Sequence, residues 1–157
     1  MSTSITSFKD KYRWLSNFWP AQIEFEGIKY PSVEHAYVAS KTLDLEKRKQ
    51  IMTLTAGEAK KFGRKMEVRT DWTDELRLQI MESLLRQKFS KTNIDLMILL
   101  IQTYPLKLVE GNNWHDNFFG SCTCKKETCC NTGKNNLGKL LEKIRDEIIV
   151  EDKESVE

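Results

Sequence analysis

Glu34 stands beside His35 in YPSVEHAYVASK, residues 30–41, a run otherwise made mostly of apolar and small side chains. A carboxylate there can hold a charge, exchange a proton, or simply complement the start of a helix. A second acid, Asp116, lies in EGNNWHDNFFG, residues 110–120, where it could equally cap its own turn. Three clusters couple aromatic rings to Asn, Asp or Arg: WLSNFWP (14–20), RTDW (69–72) and the same EGNNWHDNFFG. Such mixtures suit a pocket that stacks on a planar base while hydrogen-bonding a sugar, although any one of them alone also suits the edge of a core. Four cysteines, Cys122, Cys124, Cys129 and Cys130, crowd into SCTCKKETCCNTG, residues 121–133. They could give four thiolates to zinc, without the paired C-x-x-C knuckles of familiar structural sites, or remain free or redox-sensitive thiols. Their crowding argues against a secreted disulfide framework, which spreads cysteines to close long loops.

The elements that must hold these residues follow from periodicity and punctuation. QIEFEGIKY, residues 22–30, alternates apolar and polar around Glu26-Gly27 and predicts a β-hairpin. Pro31-Ser32 then reads as a helix entry with Ser32 as N-cap, which places Glu34 in the first turn of a helix entered directly from a strand. His35 would point about 100° around that helix from Glu34, and a structural role suits it better than a catalytic one. Further helices are predicted over 56–66, 73–89 and 93–103, the last stopped by Pro105, with a short strand at 106–109. Leu137, Leu140, Leu141, Ile144 and Ile148 make one apolar stripe, so a final helix should span 136–149. EDKESVE, 151–157, reads as a flexible polar tail.

At 157 residues the chain has room for one domain with a real core, here 8–150, and it shows neither an internal repeat nor a linker. The 25 basic and 23 acidic residues leave a formal charge of +2, which gives no broad field for gripping extended nucleic acid or a membrane. No apolar run approaches a membrane span, and the N-terminus lacks the apolar centre of a secretory signal, so a cytoplasmic protein is expected. Oligomeric state is not legible. The fold class expected is α+β, helix-rich, with a small N-terminal sheet.

The ordered motifs Trp14-Leu15-Ser16-Asn17-Phe18, Tyr30-Pro31-Ser32-Val33-Glu34-His35-Ala36-Tyr37, Ala59-Lys60-x-x-Gly63-Arg64, Arg69-x-Asp71-Trp72, Trp114-x-Asp116 and the 133–141 run GKNNLGKLL resemble the NADAR, or YbiA-like, family. The resemblance covers nearly the whole chain. It implies cleavage of N-glycosidic bonds: in some members of phosphoribosylamino pyrimidine intermediates of riboflavin biosynthesis, in others of ADP-ribose attached to nucleobases. It makes Glu34 and Asp116 the candidate catalytic acids, one holding charge while the other handles water or the leaving group. Asn17, Phe18, Trp19, Trp72 and Trp114 become candidates for base and ribose contacts, and Lys41, Arg64 and Arg69, with Lys60, for phosphate. Asn135 and Asn136 either touch ligand or cap the last helix. The expected partner is a small phosphoribosyl or ADP-ribosyl compound, with nucleic acid only as a modified substrate, and the chemistry needs no cofactor. A non-catalytic binder of ADP-ribose or nucleotide and a small zinc-binding interaction module are the alternatives. The sequence departs from the family's pattern at His115, where a small residue is commoner, at Phe118-Phe119-Gly120, and in the cysteine segment.

Overall fold

A computed structural model describes residues 3–129 and 133–156. The fold is α+β and helix-rich, as expected, and has three short two-stranded sheets among the described residues where one small N-terminal sheet was expected. The chain packs as two compact units, Ser16–Met97 and Met1–Leu15 with Ile98–Glu157, and each is described by itself.

In Ser16–Met97, β2 (Pro20–Phe25) and β3 (Ile28–Ser32) form the expected antiparallel hairpin, pairing Phe25 with Ile28 and Ile23 with Tyr30. Glu26 and Gly27, at φ 46° and 85°, make the two-residue turn, a left-handed backbone conformation that suits the right-handed twist of the flanking strands. The chain then passes without a loop from β3 into α1 (Val33–Ser40). Ser32 holds an extended backbone, and its Oγ accepts the His35 amide at 3.2 Å, the N-cap bond read from the sequence. α1 is the hub of the unit. It packs on both hairpin strands, on α2 (Leu45–Met52), on α3 (Ala56–Lys65) and on α4 (Asp74–Lys88). Small residues permit this closeness: a Cβ on Gly63 of α3 would lie 3.0 Å from Val38 Cγ1 of α1.

The helix α2 was not expected from the sequence. LEKRKQIM has too few apolar positions for a clear period, and the segment is held instead by an Asp44 cap and by buried Arg48, whose Nε donates to the Thr42 carbonyl at 2.9 Å. α3 begins with a capping box between Thr55 and Glu58, and α4 with a Thr73 cap. A 3-10 turn, Lys91–Asn93, leads into α5 (Ile94–Gln102).

In the other unit, β1 (Ser4–Ile5) pairs in parallel with β4 (Lys107–Leu108), and β5 (Gly111–Asn112) with β6 (Ser121–Cys122). A 3-10 helix, Asp10–Leu15, carries buried Trp14, whose indole N–H donates to the Lys11 carbonyl at 3.1 Å, the bond of a core-edge residue. α6 (Asn136–Val156) packs on β4. It runs on through the segment expected as a flexible polar tail, because Glu and Lys extend a helix at little cost once the apolar stripe has nucleated it. Among the described residues no helix is long and apolar enough to cross a membrane.

Candidate active site

Every residue of α1 is buried except Glu34, which is half-buried in the first turn. A helix without a solvent face does not need a carboxylate for solubility. Its neighbour His35 is fixed in the scaffold: Nε2 lies 2.6 Å from the Leu54 carbonyl and must donate to it, so Nδ1 accepts from the Ser32 hydroxyl at 2.6 Å. The cap and this imidazole together lock the turn that carries Glu34. The Glu34 amide donates to the Asn17 carbonyl at 3.0 Å, tying the Ser16–Trp19 loop to the helix start. Asn17 Nδ2 makes only a long contact with Met81 Sδ at 3.7 Å, and its buried Oδ1 has no partner among the described residues. Buried amide oxygens are rarely left unbonded, so this one stands out within the unit. Phe18 is exposed, with Lys60 Nζ 5.7 Å from its ring centre, and half-buried Trp19 donates its amide to the Ser16 carbonyl at 3.1 Å.

The same loop is anchored from below. Lys88 of α4 is fully buried, and its Nζ donates to the Ser16 carbonyl at 2.6 Å. Burial pulls its ammonium down to about 7. At the far end of α1 the RTDW turn docks: the Arg69 amide donates to the Lys41 carbonyl at 2.8 Å and Nη1 to that of Ser40 at 3.4 Å. Its guanidinium forks onto Asp71, Nε to Oδ1 at 2.6 Å and Nη2 to Oδ2 at 2.7 Å. That fork raises the Arg69 pKa and lowers that of Asp71. Trp72 lies 5.7 Å from Tyr37 ring to ring, and Lys41 Nζ stands 5.3 Å from the same Tyr37. Arg64 is exposed on α3. Asn17, Phe18, Trp19, Glu34, Lys41, Arg64, Arg69 and Trp72 thus all belong to the unit built around α1.

Asp116 and Trp114 belong to the other unit, in a turn organised by an unforeseen residue, Asn112. Buried Asn112 accepts the Trp114 and Asp116 amides at 3.2 and 3.1 Å and donates to the Asp116 carbonyl at 2.9 Å. Asp116 Oδ1 in turn accepts the Phe118 and Phe119 amides, each at 3.0 Å, so one of its oxygens does cap its own turn. Trp114 is exposed. A Cβ at Gly120 would collide with Glu110 Oε2, so only glycine fits there. Asn135, at φ 50°, spends its amide on the scaffold, Nδ2 donating to the Leu108 carbonyl and Oδ1 accepting the Glu110 amide, both at 2.9 Å. Asn136 begins α6, its amide donating to the Phe118 carbonyl at 3.2 Å.

The NADAR domain family model matches residues 5–149. The chain belongs to the NADAR family. It is 34% identical over 150 residues to the N-glycosidase YbiA of Escherichia coli K12, covering 92% of this chain and 87% of that protein. The NMR structure of E. coli YbiA superposes with a TM-score of 0.77 at 31% identity, covering 98% of this chain and 90% of that one. A riboflavin biosynthesis protein of Vibrio vulnificus is 30% identical over 142 residues, 88% of this chain but 36% of that protein.

In this NADAR chain the cysteine segment also brings in a residue that its sequence reading left out. Among the described residues, Cys122, Cys124 and Cys129 gather with His115, and Cys130, the fourth cysteine of the sequence reading, lies outside the described residues. Burial opposes ionisation of Cys122, yet hydrogen bonds, chiefly from Cys124, outweigh it and bring this thiol down to about 6. Burial and the neighbouring thiols push Cys129 up to about 11. Asn112, His115 and Lys88 are the residues that sequence reasoning missed. Asn112 carried a signal in the Asn-Asn pair of a turn-rich loop, whereas Lys88 reads as an ordinary helix C-terminal cation.

Proposed function

We propose that this NADAR protein is an N-glycosidase that hydrolyses the bond between C1′ of a ribose and the nitrogen of a base or amine. The names of its relatives support the reaction class. The observation that carries the residue assignment is that Glu34 is the single side chain of α1 that is not buried, at a helix start locked by Ser32 and His35. As the C1′–N bond breaks, the bonding pair leaves with nitrogen and positive charge spreads over C1′ and the ring oxygen. A carboxylate fixed against that charge lowers the barrier because it need not reorganise during reaction. Water then bonds to C1′ and gives up a proton, and the departing nitrogen takes one up.

The substrate class proposed is a phosphoribosyl or ADP-ribosyl compound. Asn17 Oδ1 would accept a ribose hydroxyl, Trp72 would flank the sugar or base, and Lys41, with Arg69, would meet phosphate.

The test is product release. The protein is incubated with a phosphoribosylamino pyrimidine and with an ADP-ribosylated nucleobase, and free base and sugar phosphate are followed together. Stoichiometric release of both from one substrate, slowed roughly 10²-fold or more in Glu34→Gln, is expected. Tight binding of both without any release would overturn the hydrolase reading in favour of a binding protein.

A further inference from the structure

We propose that His115, Cys122, Cys124 and Cys129 bind one zinc ion as a structural clamp of the loop that carries Asp116. The four ligand atoms already lie within 4.8 Å of one another. His115 Nδ1 is 3.4 Å from Cys129 Sγ and 3.7 Å from Cys122 Sγ. A tetrahedral zinc with Zn–N of about 2.0 Å and Zn–S of about 2.3 Å holds nitrogen and sulfur about 3.5 Å apart and two sulfurs about 3.8 Å apart. The side chains therefore stand where the ion needs them with little movement. Three thiolates and an imidazole select zinc over the hard cations, and four protein ligands close the coordination shell, which marks a structural rather than a catalytic site.

The surroundings suit thiolate ligands. Asn117 Nδ2 donates to Cys129 Sγ at 3.2 Å and to the Cys129 carbonyl at 3.0 Å, and the Cys124 amide donates to Cys122 Sγ at 3.4 Å. Such N–H···S bonds orient metal-bound sulfur. His115 holds a left-handed backbone, φ 69°, which aims its ring at the thiols from a conformation that few non-glycine residues adopt. None of the three cysteines is in a disulfide. The loop also needs a cross-link: beyond Ser121–Cys122 the described residues 123–129 contain no helix or strand. Two departures from the family's pattern, His115 and the cysteine segment, thus meet in one cluster. Zinc binding would release the remaining thiol protons to solvent and tie residue 115 to 122–129, adjacent in sequence to Asp116.

The experiment uses the full chain, purified reduced and without a metal-affinity tag. Elemental analysis should find about one zinc per chain, and cobalt substitution should give thiolate-to-metal charge transfer with tetrahedral d–d bands. Stripping the metal should lower the unfolding midpoint by roughly 10 °C. In competition with a chromophoric chelator, His115→Ala should weaken zinc affinity by about 10²-fold, while Cys130→Ser stays within about twofold of wild type. Absence of zinc together with failure of the reduced wild type to take up cobalt overturns the proposal. So does the reverse pattern, loss of metal in Cys130→Ser with retention in His115→Ala, which would establish a four-cysteine site instead.

Discussion

Glu34 and Asn17 make opposite demands on the same few ångströms of chain. In the proposed mechanism, the cost of keeping Glu34 half-buried on an otherwise buried helix is offset only when positive charge develops on the sugar. Glu34→Gln keeps shape and most hydrogen bonding, so the hydrolysis rate should fall roughly 10²-fold or more, with KM and melting temperature little changed. Rates from base release and midpoints from thermal unfolding, measured on both proteins, decide it; equal rates would reduce Glu34 to a helix-start residue. Asn17 should show the complementary pattern. Its buried, unpartnered Oδ1 costs stability in the free protein, and the contact of its Nδ2 with Met81 is long. Asn17→Leu should therefore leave the midpoint unchanged or raise it while increasing KM about tenfold, since the main-chain carbonyl that holds the Glu34 amide survives. A large loss of stability with unchanged KM would refute a ligand role. The identity of both residues was legible in the sequence. The half-burial of Glu34 and the unbonded Oδ1 of Asn17 were not, because they depend on which neighbours bury α1 and on what fails to reach Asn17.

At the scale of elements, the strand-to-helix junction was the most legible feature, since Pro31 and Ser32 encode a helix entry locally and Glu26-Gly27 encodes the hairpin turn before it. What the local code could not give is the double use of Ser32, whose hydroxyl accepts the His35 amide and donates to the His35 ring. Ser32→Ala should cost about 2 kcal/mol, one cap plus one buried hydrogen bond, and lower the unfolding midpoint by roughly 4–8 °C. Because the turn also sets Glu34, catalysis should fall in the same variant, whereas Ser32→Thr should recover most of both. A midpoint unchanged in Ser32→Ala would mean that the packing of α1, not its cap, fixes the junction. Elements without periodic apolar residues escaped sequence reading for a physical reason: α2 is held by Asp44 and by buried Arg48, a tertiary anchor that composition presents as a surface charge. The last helix was legible only as far as its apolar stripe, and its polar extension follows from propagation rather than burial. The site residues of the Asp116 loop were legible as types, but the partners that hold them, Asn112 and His115, come into register only when β5 pairs with β6.

For the molecule as a whole, the feature least visible in the sequence is also the one that ties stability to pH. Lys88 occupies the last turn of α4, where a cation usually complements the helix terminus in solvent, yet here it is fully buried and bonded to the Ser16 carbonyl. Burial lowers its pKa from 10.5 to about 7. The sign of the consequence follows from proton counting. Between the folded value near 7 and the unfolded value of 10.5, the unfolded chain binds a proton that the folded chain does not, so stability rises with pH across that window. Below pH 7 both states are protonated and the folded one carries the full penalty of a buried charge. The contribution should amount to about 2 kcal/mol between pH 7 and 9, read as a rising denaturant midpoint at constant slope. Lys88→Met, close in volume and without a titrating group, should flatten that rise, at a cost near pH 9 of about 1 kcal/mol for the lost bond to Ser16. If the wild-type midpoint is flat from pH 7 to 9, or if Lys88→Met keeps the slope, the ammonium is solvated in solution and the loop carrying Asn17 is not anchored by a buried lysine.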